Sequence, residues 1–242
     1  MGCHNEAGLR SGDRLIECIQ DFIHSKYNVM LIQEHKLDRK GGVDAKSFCE
    51  ARGIAATFES RADEAAREGT AIMIKLRPLA LQSSDVAFET CADGRCTVAS
   101  FTCMERKERV ASVYLPTRPS ERITTIRQIR DSKILRKSTV VGGDHNCVPN
   151  LLLDAHRGYE NAHAREWESY LSSLGLEDVT RTQEGHVRGP YTRMPSDGTY
   201  TRIDRILART GANTQHTSGV DEAFGYSASR TSPDHKTIYV SR

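Results

Sequence analysis

The stretch Thr139-Val-Val-Gly-Gly-Asp-His-Asn146 runs from a short apolar segment through two glycines into an acidic and an amide side chain. Its β-branched start predicts a buried strand, and its end places Asp144 where that strand passes into a loop. The stretch Val29-Met-Leu-Ile-Gln-Glu34 has the same design. Functional sites are often built where rigid strands end in loops. The two carboxylates are therefore the first candidates for a site.

A carboxylate at the end of a buried strand is costly to desolvate unless a cation, hydrogen-bond donors or water compensate its charge. Mg²⁺ prefers hard oxygen ligands and commonly takes one or two carboxylates together with substrate phosphate oxygens. We therefore expect Mg²⁺ as the cofactor, with Mn²⁺ as the alternative. A merely solvated strand end at Glu34 is the competing interpretation.

Two segments near the end of the chain add acidic residues and an imidazole. The sequence of residues 200–207 predicts a strand with Asp204 in its middle. The segment Ser232-Pro-Asp-His places Asp234 beside His235. An aspartate that faces a histidine stabilises the imidazolium, so that the ring can transfer a proton near neutral pH. Either segment alone would be weak, because Asp-His pairs are common.

Composition restricts the class of protein only loosely. The chain has 242 residues, of which 38% are hydrophobic, and its net charge of +2 gives no argument for a nucleic-acid partner. Residues 118–137 contain seven Lys and Arg. This local positive charge is compatible with a nucleic-acid contact, and a solvated helix face would also explain it. Seven cysteines without a CxxC pair indicate neither a zinc ribbon nor a disulfide framework. Without an apolar leader or membrane-spanning run, we expect an intracellular protein with no membrane partner.

The apolar pattern predicts a mixture of strands and helices in a single domain covering residues 1–242. An amphipathic helix is expected after the cap region at residues 11–13, ending near residue 28. Further helices are predicted at 121–137 and 164–174, and strands at 29–33, 70–76, 96–103, 109–115, 139–141, 200–207 and 237–240. Strands outnumber helices without strict alternation, which favours two packed sheets covered by helices.

Six separated motifs, taken in order, resemble the endonuclease/exonuclease/phosphatase superfamily over residues 3–240. They contain Asn5 in Cys-His-Asn-Glu-Ala-Gly-Leu-Arg, Glu34 in Leu-Ile-Gln-Glu-His-Lys-Leu, Tyr114 in Ser-Val-Tyr-Leu-Pro-Thr, Gly-Asp144-His-Asn146, Arg-Ile-Asp204 and Ser-Pro-Asp234-His235. The resemblance implies a four-layered α/β-sandwich, with two packed mixed β-sheets flanked by helices, as in DNase I.

The same resemblance assigns a role to each residue. Glu34 would bind the metal ion, with Asn5 and Asp234 near it directly or through water. Asp144 would orient or deprotonate the attacking water, and Asn146 would hold Asp144 and the phosphate.

The remaining residues of the implied site act on the phosphate. Tyr114 would contact the scissile phosphate, and His235, paired with Asp204, would hydrogen-bond to it or protonate it. These roles suit phosphodiester hydrolysis, which needs an activated water and stabilisation of negative charge on the non-bridging oxygens. The expected products carry a 3′-hydroxyl and a 5′-phosphate.

Within the superfamily, three stretches are similar to the endonuclease domain of non-LTR retrotransposons: 69–75, 142–149 and 175–179. This implies double-stranded DNA as the partner, a nuclear location, and a domain cut from a polyprotein with a reverse transcriptase downstream. The nick would prime reverse transcription. The loop at 181–199, with Arg181, Arg188 and Arg193, is the candidate DNA contact, and a plain surface hairpin is the alternative.

Departures from the family pattern keep other functions open. Ala7 replaces an acidic residue of apurinic endonucleases, His145 replaces an aromatic residue, and the first strand is short. An apurinic/apyrimidinic repair endonuclease and a phosphatase of the same superfamily are the rival enzymes, because fold and motifs alone do not settle the substrate. A degenerate domain that binds nucleic acid without cutting it is the rival from another class.

Overall fold

The protein is built around two β-sheets, as a computed structural model shows for residues 1–5, 8–9, 12–60, 68–156, 159, 161–184, 187–188, 190–209, 217–221 and 235–241. Within these residues the strands are β1 (Gly2–Asn5), β2 (Val29–Gln33), β3 (Ile54–Glu59), β4 (Thr70–Lys75), β5 (Ala87–Cys91), β6 (Cys96–Cys103), β7 (Arg106–Tyr114), β8 (Val140–Asp144), β9 (Leu176–Asp178), β10 (Asp204–Arg209), β11 (Thr217–Asp221) and β12 (Thr237–Ser241).

Four of the six described helices pack on the outer faces of the sheets. The six are α1 (Gly12–His24), α2 (Arg39–Glu50), α3 (Pro119–Ser132), α4 (Leu151–Asp154), α5 (Ala164–Ser173) and α6 (Val179–Glu184), with two single 3₁₀ turns at Arg77–Leu79 and Ser83–Asp85. No helix within the described ranges has the length and apolar character that a bilayer span requires.

Each sheet mixes parallel and antiparallel neighbours. The first sheet has the order β11-β12-β1-β2-β4-β3, and the second has the order β5-β6-β7-β8-β10-β9. β1 runs parallel to β2 in the first sheet, and β7 runs parallel to β8 in the second. The carboxyl ends of parallel neighbours meet at one edge, which brings the ends of these strands together.

Three apolar layers hold the sheets and helices together. The layer between the sheets contains Leu31 and Ile72 from the first sheet and Val110 and Ile206 from the second. A second layer joins the first sheet to α1 and α2, and a third joins the second sheet to α3 and α5 around the buried Trp167. The chain therefore forms the four-layered α/β-sandwich that the motifs predicted.

The burial of β2 on both faces explains its continuous apolar sequence. Val29 and Leu31 point into the layer between the sheets, whereas Met30 and Ile32 pack under α1 and α2. A strand covered on both sides needs apolar residues at successive positions, because successive side chains point to opposite faces. Glu34 follows where this burial ends.

Several predicted elements have different bounds in the structure, and a strand and a helix are examples. Asp204 is the first residue of β10 and not the middle of a strand at 200–207. The residues before it bond outside the sheet: Arg202 N donates to the Asp154 carbonyl oxygen, at the end of α4, at 2.8 Å, and Thr201 pairs with Arg193. The helix predicted at 121–137 ends at Ser132, because the next residue adopts a left-handed conformation.

Gly143→Ala tests the close packing of β7 against β8. A Cβ atom at residue 143 would lie 1.9 Å from the Val113 carbonyl oxygen, so the two strands would have to separate. We expect a loss of about 3 kcal/mol or more in the free energy of unfolding, measured by urea denaturation. Gly12→Ala is the control, since nothing lies within 4 Å of its added Cβ. Equal stability of both variants would contradict this packing.

Candidate active site

Asp144 lies at the centre of the edge where β7, β8 and β10 meet. The ladder places it opposite Tyr114 on one side and Asp204 on the other. Its side chain is buried, and two amides donate to it: Asn146 N to Oδ1 at 2.9 Å and Asn5 Nδ2 to Oδ2 at 2.9 Å. The carboxylate is therefore held from both sheets.

Asn146 supports Asp144 through a strained turn after β8. Its φ is 43°, in the left-handed region that asparagine tolerates better than most residues. Its Nδ2 donates to the Leu115 carbonyl oxygen at 2.8 Å, which ties the turn to the end of β7. The Leu115 amide in turn donates to the Asp144 carbonyl oxygen at 2.9 Å.

Asp204 and His235 form a buried pair beside Asp144. Nδ1 of the imidazole lies 2.9 Å from Asp204 Oδ2 and 3.1 Å from Oδ1. The Asp204 amide donates to Thr192 Oγ1 at 3.0 Å, which fixes the start of β10. A carboxylate on Nδ1 favours the tautomer with its proton there, so Nε2 is the ring nitrogen that can act on a substrate.

Glu34 faces this group from the other sheet. Its φ is 52°, its Oε1 accepts from Asn5 Nδ2 at 3.4 Å, and its Oε2 pairs with Lys36 Nζ at 2.9 Å. Burial raises the pKa of the Tyr114 phenol, as do the charges of Glu34 and Asp144. Tyr114 is therefore close to both carboxylates.

Electrostatic repulsion among these acids is substantial. Burial, and then the Asp204 and Glu34 charges, raise the pKa of Asp144 from its ordinary 3.8 to about 7, against the opposing effect of His235. A divalent cation would relieve this repulsion, and carboxylate and amide oxygens are the ligands that Mg²⁺ prefers.

The ligand atoms are also close enough for a metal ion. Asp144, Asp204 and His235 offer atoms that all lie within 4.8 Å of one another. This cluster differs from the predicted ligand set of Glu34, Asn5 and Asp234. Asn5 joins the two sets, since it bonds to both Glu34 and Asp144. The donor chemistry of the whole edge thus fits a divalent cation.

The structure gathers seven of the eight predicted catalytic and metal-binding residues at this edge: Asn5, Glu34, Tyr114, Asp144, Asn146, Asp204 and His235. The eighth, Asp234, lies outside the described residues, as does Ala7.

The three arginines of the predicted DNA-contacting loop have different environments. Arg181 lies in α6 and not in an exposed loop, because Asp178 Oδ1 accepts from the Arg181 amide at the start of this helix. Its guanidinium pairs with the buried Asp154. Arg188 is exposed and donates to the Ala155 carbonyl oxygen at 3.1 Å. The backbone of Arg193 pairs with His235, which places this residue beside the site.

His145 points away from the site. It is buried, its Nδ1 accepts from Trp167 Nε1 at 2.7 Å, and the two rings pack against each other under α5. Burial, together with the nearby Arg205, keeps the pKa of His145 far below its ordinary value. The neutral ring therefore replaces an aromatic side chain in the core.

Three residues near the site were not singled out from the sequence. Lys36 pairs with Glu34, and Thr192 holds Asp204. Tyr159 is close enough to Asp144 that this carboxylate, after burial, raises the pKa of its phenol. Lys36 could have been predicted, since it lies two residues after Glu34. No local sequence pattern marks Thr192 or Tyr159.

A model of the Endonuclease/Exonuclease/phosphatase family matches residues 4–232. The match covers most of the chain, and the protein therefore belongs to this family, whose members are hydrolytic nucleases or phosphatases. No curated protein matches the chain in sequence.

Solved structures share the fold over the full length of the chain. A 3′-5′ exonuclease (NExo) from Neisseria meningitidis aligns with a TM-score of 0.70 and 19% identity, covering 100% of this chain and 99% of that one. An AP endonuclease from Archaeoglobus fulgidus aligns at 0.71 and 17%, covering 100% and 98%. The endonuclease domain of TRAS1, a telomere-specific non-LTR retrotransposon, aligns at 0.64 and 15%, covering 100% and 96%. At these identities the likeness shows the DNase I-like fold.

Asp144→Asn should make the metal-free protein more stable at pH 8. Because the folded-state pKa is raised to about 7, the contribution of Asp144 to stability is fully present below pH 3.8 and is lost as the pH rises through 7. An amide does not ionise. We expect a gain of about 1–2 kcal/mol in the free energy of unfolding at pH 8 in EDTA, and none at pH 4, measured by denaturant titration.

Added Mg²⁺ should reverse this ranking at pH 8, since the ion stabilises the folded wild-type protein in proportion to its affinity and the variant lacks one carboxylate. An advantage of the same size at pH 4 and pH 8 would count against charge repulsion as its cause.

Proposed function

We propose that the protein is a Mg²⁺-dependent DNA endonuclease that hydrolyses a phosphodiester and leaves a 3′-hydroxyl and a 5′-phosphate. The observation that carries the proposal is the cluster of Asp144, Asp204 and His235, whose ligand atoms lie within 4.8 Å of one another at the edge shared with Glu34. Phosphodiester hydrolysis needs a base for water and stabilisation of charge on the phosphate, and this edge offers both.

Asp144 is the proposed base. Its oxygens are fixed by Asn5 and Asn146, so the carboxylate is oriented before substrate binds. Burial and the acidic neighbours raise the pKa of Asp144 above its ordinary value, so this carboxylate is a stronger base than an exposed aspartate. It would take a proton from the attacking water.

His235 and Tyr114 are the proposed phosphate contacts. Asp204 accepts from Nδ1 of His235 and favours the imidazolium, whose Nε2 proton would stabilise a non-bridging oxygen. Tyr114, on the other side of Asp144, keeps its hydroxyl proton because burial and the nearby acids raise its pKa. It would therefore donate a second hydrogen bond.

Glu34, with Asn5 beside it, would hold the divalent cation at this edge, and Asp234 is proposed to complete the set. When bound, the cation polarises the scissile phosphate and stabilises the leaving oxygen. Lys36 occupies Glu34 Oε2 in the structure, and it would have to give up this contact to the cation or share it.

We further propose that the nick primes reverse transcription of a non-LTR retrotransposon, with double-stranded DNA as substrate, a reverse transcriptase domain downstream in the same polyprotein, and a nuclear location. Support comes from the stretches at 69–75, 142–149 and 175–179 and from the full-length structural likeness to the TRAS1 endonuclease domain. The likeness to an AP endonuclease supports apurinic repair as the second candidate.

Glu34→Gln and His235→Ala should each reduce plasmid nicking by about 100-fold or more, as loss of one transition-state stabiliser typically does. The measurement is the initial rate of conversion of supercoiled plasmid to open circles in Mg²⁺. Glu50→Gln and His24→Ala carry the same chemical changes on exposed helix positions and should nick like the wild type. Residual nicking of equal rate in all five proteins would mean a contaminating nuclease or a misassigned site.

The product ends separate this nuclease from other members of the family. DNA ligase should reseal the nicked plasmid without prior enzymatic repair, because a 3′-hydroxyl beside a 5′-phosphate is its substrate. An abasic oligonucleotide and a phosphoinositide are assayed in parallel. Cleavage confined to the abasic strand would favour repair, and phosphate release from the lipid without plasmid nicking would overturn the proposal.

A further inference from the structure

Cys91 and Cys96 lie directly opposite each other at the turn end of the β5–β6 hairpin, where they flank residues 92–95. Cross-strand partners point to the same face of a sheet, with Cβ atoms about 4.5–5.5 Å apart. A disulfide needs Cβ atoms about 3.5–4.5 Å apart, so a small movement of the two strands suffices. All seven cysteines are described and unbridged, and the ladders pair no other two; Cys103, for example, pairs with Arg106.

From this register we propose that Cys91 and Cys96 are a modification site, at which a low-molecular-weight disulfide such as glutathione disulfide forms an intrachain disulfide. The site lies outside the catalytic edge, and the proposal is independent of the proposed nuclease reaction.

The two thiols differ in the way that such a reaction requires. Cys91 is partly exposed, and Ser132 Oγ, from the end of α3, lies 3.5 Å from its sulfur. Hydrogen bonding from the Cys96 thiol lowers the pKa of Cys91, whereas Cys96 is fully buried and its pKa is raised. A thiolate is the attacking species in disulfide exchange. Cys91 is therefore the attacking thiol and Cys96 the resolving one.

The disulfide exchange proceeds in two steps. The Cys91 thiolate attacks one sulfur of glutathione disulfide, forms a mixed disulfide and releases one glutathione thiolate. The Cys96 thiol gives its proton to that thiolate and attacks the Cys91 sulfur, which breaks the mixed disulfide and releases the second glutathione. Two cysteine thiols are oxidised, and one glutathione disulfide is reduced.

The hairpin that this disulfide would close supports the catalytic edge. The Arg95 carbonyl oxygen accepts from the Tyr114 amide at 2.8 Å, and the Gly94 carbonyl oxygen accepts from the Thr70 amide at 2.9 Å. Arg95 Nε also pairs with Glu68 at 2.6 Å. A covalent link between the two residues that flank this turn would hold residues 92–95 against both sheets.

Peptide mass spectrometry tests the proposal. Reduced protein is treated with glutathione disulfide, blocked with N-ethylmaleimide and cut with trypsin, which cleaves after Arg95 and so separates the two cysteines. We expect the peptides 76–95 and 96–106 to be joined. Because 96–106 also contains Cys103, the same experiment on Cys103→Ala identifies the partner, and the link should persist there.

Two single variants test the roles assigned to Cys91 and Cys96. Cys96→Ala should retain a stable glutathione adduct on Cys91, and Cys91→Ala should form no link. Oxidised wild type should melt about 4 °C above the reduced form, and the shift should be absent from both variants. Thermal melting of the reduced variants shows whether each is folded. An adduct that persists on Cys91 of wild type, or two thiols that still react with N-ethylmaleimide, would overturn the proposal.

Discussion

The central carboxylate of the site depends on a hydrogen bond that crosses from one sheet to the other. Asn5 Nδ2, at the end of β1, donates to Asp144 Oδ2, at the end of β8, at 2.9 Å, and both side chains are buried. A carboxylate that has lost its water needs such donors, because an unpaired buried charge is far more costly than an unpaired exposed one. Since the two residues are 139 positions apart, the site forms only when both sheets have packed.

The same edge concentrates negative charge that the fold only partly compensates. Lys36 pairs with Glu34 and His235 pairs with Asp204, yet the pKa of Asp144 remains raised because of its burial and its acidic neighbours. Proteins commonly give up stability at catalytic sites in this way. This repulsion destabilises the empty site. A bound cation relieves it, and the cation in turn attracts an anionic substrate.

Local sequence patterns predicted the secondary structure where a strand is buried on both faces or where a helix has one apolar face. The strands at 29–33 and 96–103 were predicted with the bounds that the structure shows. Helix α2 was missed because it contains two adjacent glycines, which are poor helix formers. Asp38 caps it, and Gly42 lies so close to Phe58 that a Cβ atom would be 2.9 Å from its carbonyl oxygen. The contact with Phe58 therefore requires glycine at position 42.

The sequence by itself determined the chemistry of the site, with Glu34 and Asp144 at the carboxyl ends of central strands and His235 just before the last strand. The irregular mixture of strands and helices, together with the six motifs, also predicted the fold class. Only the tertiary structure decided that Arg181 is used inside the protein by Asp154, and that Thr192 holds Asp204. These partners are distant in sequence and are selected by the shape of the folded chain, so no local periodicity encodes them.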